Sequence, residues 1–222
     1  MALPSLSSTD SNPARTPAPV HYEYTLELPD LLARLECSLV LSTYQAGRLV
    51  RIGIHDGQPA IGFLTRSSHH CGPVMGHDIA WCGDRLWLVN TLFNCLCTLE
   101  PPWSFVPRWH PPFISTIAPG DRCHLNGLAV SEDGAAPAYV TALAPCAVER
   151  GWRERKRDGG CLISVASGEI LLEGLSMPHS PRVYHGQLYL LDSGHGRLLF
   201  CDPITGSSEV IATLPGFTRG LG

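Results

Sequence analysis

The sequence predicts an all-β, β-propeller-like fold. It reads as a repeat of four-stranded antiparallel blades, incomplete or open, with about four blades. Three observations predict it. The first is composition: charged residues make up 16% of the 222, against about 25% in an ordinary globular chain, and there are 22 glycines and 19 prolines. Low charge with many chain-bending residues excludes a coiled coil, a long helical bundle and a wholly disordered chain, and suits strands joined by tight turns. The second is an alternation of apolar and polar residues along most of the chain after residue 37. The third is an internal repeat.

Taken in order, residues 1–20 are rich in Ser, Pro, Thr and Ala without periodicity, and read as a disordered tail. Residues 21–36 form a short linker or helix, with an amphipathic stretch from Leu28 to Glu36. Residues 37–222 form the propeller-like domain. Strand-like runs at 38–43 and 48–53 flank a turn at Gln45, Ala46 and Gly47.

The repeat then appears in three segments, 76–91, 125–142 and 179–194. Each has a small or polar opening, an apolar run, a Gly-containing turn and a second apolar run ending in Asn, Thr, Asp or Ser. Alternation makes the strands, and glycine supplies the positive φ of the turn. Two further hairpins, 161–172 and 199–211, match each other. Two hairpins make a four-stranded unit. The openings at His77, Asn126, Ser180 and Arg219 fall 49, 54 and 39 residues apart. Blades of about 40–50 residues have this spacing. A fourth copy begins at Arg219, and the expectation is that it is truncated at 222.

Charge and cysteines bound the function. A net charge of −4 leaves no basic footprint for nucleic acid. No apolar run of about 18 residues exists to cross a membrane. The N-terminus lacks the basic start and apolar stretch of a signal peptide. Nine cysteines without a spacing framework read as reduced, mostly buried thiols, Cys95 and Cys97 among them, so the expected compartment is cytoplasmic.

In a propeller the innermost strands line a central channel, and ligands sit at its mouth. The repeat therefore marks His77, Asn126, Ser180 and Arg219, with their neighbours Asp78, His124, His179 and Arg182, as candidate ligand-binding residues. His77, His124 and His179 are the candidate metal ligands, since imidazole suits divalent first-row ions. A divalent metal is the candidate cofactor, its identity unknown. No G-x-S-x-G elbow, G-x-G-x-x-G or Walker motif is present. Two excursions are longer than turns: the first suits a rigid loop that walls a pocket, and the second reads as a solvated charged loop or as one that binds an anion or a partner. Residues 103–123 are rich in proline and aromatics, and residues 147–160 are densely charged.

The segments STYQAG (42–47), VNTLF (89–93), PPFIS (111–115), DRCHLNG (121–127), KRDGG (156–160) and LSMPHSP (175–181) resemble an uncharacterised bacterial conserved-hypothetical family, a domain of unknown function. The resemblance covers roughly residues 37–222 and implies a β-propeller. It supplies no catalytic residues and does not decide whether the protein is an enzyme. It also implies a shortened member, with blade sequence missing near 64–74. The functional expectation is a small molecule or metal bound at the channel mouth through His, Asn and Arg. The alternatives are a scaffold for a protein partner and a non-functional shortened copy.

Overall fold

A computed structural model describes residues 25, 27–43, 48–55, 58–63 and 71–221. The expected tail at 1–20, the turn at 45–47 and most of the shortened junction lie outside the described residues. The chain divides into two compact units, residues 1–64 and 65–222.

In the first unit a helix, α1 (Leu28–Arg34), starts with a proline in its first turn, where the fixed φ is already helical. Asp30 near its start and Arg34 at its end complement the helix dipole. Glu36 adopts a left-handed φ of 49°, so the helix stops short of the expected 36. Strands β1 (Leu39–Thr43), β2 (Arg48–His55) and β3 (Gln58–Phe63) then form an antiparallel sheet in that order.

The second unit holds three four-stranded antiparallel sheets. The first contains β4 (Gly76–Cys82), β5 (Arg85–Asn90), β6 (Cys95–Thr98) and β7 (Val106–Trp109). The second contains β8 (Leu125–Val130), β9 (Pro137–Ala142), β10 (Gly160–Ser164) and β11 (Ile170–Leu175). The third contains β12 (Pro178–Tyr184), β13 (Gln187–Asp192), β14 (Arg197–Asp202) and β15 (Ser207–Thr213). Each is an up-and-down meander whose neighbours in sequence are neighbours in the sheet. The tight hairpins after β4 and β12 turn on Gly83 (φ 60°) and Gly186 (φ 70°), as the repeat requires.

Packing shows why the middle blade is so apolar. On β10, Cys161 and Ile163 point into one core with Val89 and Leu96 of the first blade and Leu125 of β8. Leu162, between them, points the other way into a second core with Leu188, Leu190 and Leu199 of the third blade. Period-2 alternation thus fills both faces, because a blade lies on each side. Each fully buried Leu or Ile contributes about 2 kcal/mol.

The first strands β4, β8 and β12 converge. β8 packs against both β4 and β12. The Leu128 N–H donates to Asp78 Oδ2 at 3.1 Å, and Arg182 Nη1 donates to the Leu128 carbonyl at 2.8 Å and to Asp78 Oδ2 at 3.2 Å. Meandering blades set side by side with their first strands inward make this fold a β-propeller-like repeat. Each inner strand also breaks register with its neighbour near its start: between Gly76 and Ile79, between Leu125 and Gly127, and between His179 and Arg182. Such irregularities re-aim side chains, and here they fall at the polar openings.

Candidate functional site

The openings of the three inner strands share one local design. A residue in left-handed backbone comes first, and a polar residue follows two places later. The pairs are Met75 (φ 51°) with His77, His124 (φ 52°) with Asn126, and Met177 (φ 49°) with His179. The equivalent residue of the third blade is therefore His179, where counting along the sequence marks Ser180. Ser180 itself has φ 50° inside the irregular stretch, which displaces a period-2 count by one.

In the first blade His77 Nδ1 lies 3.1 Å from the Met75 carbonyl and 2.8 Å from Thr91 Oγ1. Thr91 has one hydroxyl proton and gives it to the Leu125 carbonyl at 2.5 Å. Its oxygen must then accept from His77, so Nδ1 carries the ring proton and Nε2 the lone pair. The third blade repeats this. His179 Nδ1 donates to the Met177 carbonyl at 2.8 Å and to Ser193 Oγ at 2.9 Å. In the second blade the polar residue is Asn126, whose Oδ1 accepts from Thr141 Oγ1 at 2.7 Å and whose Nδ2 donates to the Pro178 carbonyl at 3.0 Å.

His124 takes a different partner. Its Nδ1 lies 2.8 Å from Asp121 Oδ1, and Asp121 Oδ2 accepts from the Trp152 indole N–H at 3.1 Å. Asn94 Oδ1 accepts the backbone N–H groups of Arg122 (2.7 Å) and Cys123 (3.1 Å), which fixes the turn carrying Asp121 and His124. The His124 ring stands edge-on to His77, centroids 4.6 Å apart, and its centroid lies 4.3 Å from that of the Trp152 ring. Trp152 comes from the charged excursion, on a short 3-10 helix (Gly151–Arg155). Arg153 and Lys156 each lie 5.5 Å from its ring centre.

Electrostatics join these groups. Burial lowers the pKa of His77 to about 4, helped by the neighbouring His124 and Arg219 charges. Burial lowers that of His179 to about 3, helped by Arg219 and, to a smaller extent, by His77 and His124. Both imidazoles are therefore neutral at physiological pH. Arg219 is held near them by its own segment: the Gly220 N–H donates to Ser180 Oγ at 3.2 Å, and Phe217 lies 5.6 Å from the His179 ring.

The structure thus gathers His77, His124, His179 and Arg219, with Ser180 as a tether and Asn126 as a strut. Asp78 and Arg182 are occupied elsewhere, tying β4, β8 and β12 together. Arg182 also lines a concavity of about 430 Å³ beside Trp81 and Tyr184, near the far ends of the inner strands. Among the described residues no group of three or more His, Cys, Asp or Glu side chains is arranged to hold a metal ion, and that includes the three imidazoles. Sequence reasoning missed Thr91, Ser193, Asp121 and Trp152. The first two are signalled by the recurring hydroxyl fourteen residues after His77 and His179. Asp121 lies within the quoted DRCHLNG segment, and Trp152 is a lone aromatic in a charged excursion.

The chain belongs to the family described as Domain of unknown function (DUF4915), whose model matches residues 54–222. No curated protein matches it significantly in sequence. Among solved structures it is similar to virginiamycin B lyase from Staphylococcus aureus, with 14% identity and a TM-score of 0.40 over 81% of this chain and 53% of that one. It is also similar to the calcium-binding protein regucalcin from Agrobacterium tumefaciens, with 17% identity and a TM-score of 0.47 over 78% and 54%. A gluconolactonase from Xanthomonas campestris gives 16% and 0.43 over 81% and 63%. The chain spans 53–63% of the length of these proteins. Likenesses of this size carry nothing about ligand or chemistry.

Within the described residues, no helix is long and apolar enough to cross a membrane.

Proposed function

We propose that the propeller-like unit binds a small anionic molecule bearing hydroxyl groups at the mouth of its channel. The observation that carries this reading is the segment that brings Arg219 to the imidazoles: the Gly220 N–H donates to Ser180 Oγ at 3.2 Å, Phe217 lies 5.6 Å from the His179 ring, and the Arg219 charge helps keep His77 and His179 neutral. A guanidinium recognises a carboxylate or phosphate. His179, locked with its proton on Nδ1, offers Nε2 as an acceptor, which suits a hydroxyl donor. One cation beside an imidazole acceptor therefore complements a carboxylate or phosphate compound that also carries O–H groups. All nine cysteines carry free thiols, which supports a reducing compartment such as the cytoplasm.

Tartrate and succinate test this. They carry the same charge and differ by two hydroxyls. Calorimetric titration should show tartrate binding more tightly than succinate, and Arg219→Gln losing at least tenfold in tartrate affinity. Equal binding of the two, or binding indifferent to Arg219, would overturn the reading.

A further inference from the structure

His124 departs from the repeat, and the departure is informative. At the matching left-handed position the other two blades carry Met75 and Met177, whose carbonyls receive the following imidazole. The backbone design therefore does not need a histidine there. The second blade supplies one, together with a buried carboxylate behind it. Asp121 is 5% exposed, itself in left-handed backbone (φ 46°), and its two oxygens are divided between His124 and the Trp152 indole. Non-glycine residues in that conformation cluster at functional sites.

We propose that His124 is the proton acceptor of this site and that Asp121 is its positioning residue, so that the site performs general-base chemistry on a hydroxyl of the anionic ligand. This rests on the binding reading above. With Nδ1 committed to Asp121, only Nε2 of His124 can meet a ligand. In the step, the ligand O–H bond breaks and its electron pair stays on oxygen. The Nε2 lone pair forms the new N–H bond. The resulting imidazolium faces the Asp121 carboxylate, which stabilises it in a partly desolvated place. Trp152 keeps that carboxylate oriented, and the Arg153 and Lys156 charges over its ring hold the indole in place.

The test needs no ligand, so its failure is separable from failure of the binding reading. Diethyl pyrocarbonate acylates unprotonated imidazole nitrogen, and mass spectrometry reads the rate at each histidine. At pH 7 His124 should be acylated in the wild-type protein. Asp121→Asn should slow it at least tenfold, Asp121→Glu should restore it to within about threefold, and His179 should keep its rate in both variants. Trp152→Phe keeps an aromatic side chain but removes the indole donor and part of the buried ring, so circular dichroism first establishes that the variant is folded; in folded protein the His124 rate should change while His179 keeps its own. A His124 rate that ignores Asp121→Asn in folded protein, or that is unchanged in Trp152→Phe, would overturn the proposal. Adding tartrate to the same reaction asks the separate question. Protection of the histidines supports the binding reading, and its absence counts against that reading while leaving the Asp121 dependence standing.

Discussion

Asn126 reaches from β8 to donate its side-chain N–H to the carbonyl oxygen of Pro178 on β12, 3.0 Å away, while its own carbonyl accepts from Thr141 at 2.7 Å. The residue is 3% exposed and spends both ends of its amide inside the protein. Of the polar openings, this one belongs to the architecture.

Asn126→Ala should therefore cost stability. It strands the Thr141 hydroxyl and the Pro178 carbonyl in a buried place, a loss on the order of 2 kcal/mol. Urea unfolding should show the loss, and calorimetry on the folded protein should find tartrate affinity within about threefold of wild type. A variant as stable as the parent would contradict this assignment.

Gly127 marks how closely the inner strands approach. A Cβ there would lie 2.4 Å from both Pro181 Cδ and Thr141 Oγ1 and 3.1 Å from the Ser180 nitrogen. A proline ring and a backbone nitrogen cannot turn aside as a long side chain does. Gly127→Ala should cost about 3 kcal/mol, at the upper end of what overpacking does. Thermal unfolding would show it as a large fall in Tm.

Asp78 and Arg182 act as a tie. Arg182→Ala removes donors from the Leu128 carbonyl and from Asp78 together. The pair is partly buried, with side-chain exposures of 35% for Arg182 and 17% for Asp78. A loss of about 1–2 kcal/mol follows, above the exposed-pair range but below that of a fully buried pair. Both urea unfolding and tartrate binding should be measured, since only the first should change.

Acid should weaken the fold through two histidines. An unfolded histidine protonates near pH 6.5, whereas burial holds folded His77 to about 4 and His179 to about 3. Their contribution is fully present above pH 6.5, where neither state is protonated. It declines as pH falls, because the unfolded chain takes up protons that the native one refuses. The decline ends near pH 4 for His77 and near pH 3 for His179, and is on the order of 3 kcal/mol for the first and 5 kcal/mol for the second. Unfolding free energy measured from pH 7 to pH 4 should fall less steeply in His179→Gln than in wild type. Equal slopes would show that His179 titrates normally.

Much of the fold was legible because each hairpin is local. Alternation, a turn glycine and a fixed spacing specify β4–β5, β8–β9 and β12–β13 without reference to anything distant. The site was legible only in part. His77 and His179 stand out as polar residues where a core strand would be apolar. The one-residue displacement that makes His179, and not Ser180, the partner of His77 comes from an irregular register, which periodicity does not register. Asp78 and Arg182 look like site residues because they adjoin the openings, but their charges are consumed by each other and by Leu128. Asp121 and Trp152 are 31 residues apart, and only the folding of the charged excursion back onto the turn before β8 brings them to one imidazole.

The central claim is that imidazoles from three blades and one guanidinium serve a single ligand. The most direct measurement follows the ring signals of His77, His124 and His179 by NMR while tartrate is added, in wild type and in Arg219→Gln. All three should shift along one binding curve in wild type and stay still over the same range in the variant. Three histidines responding at different concentrations, or one responding alone, would contradict it.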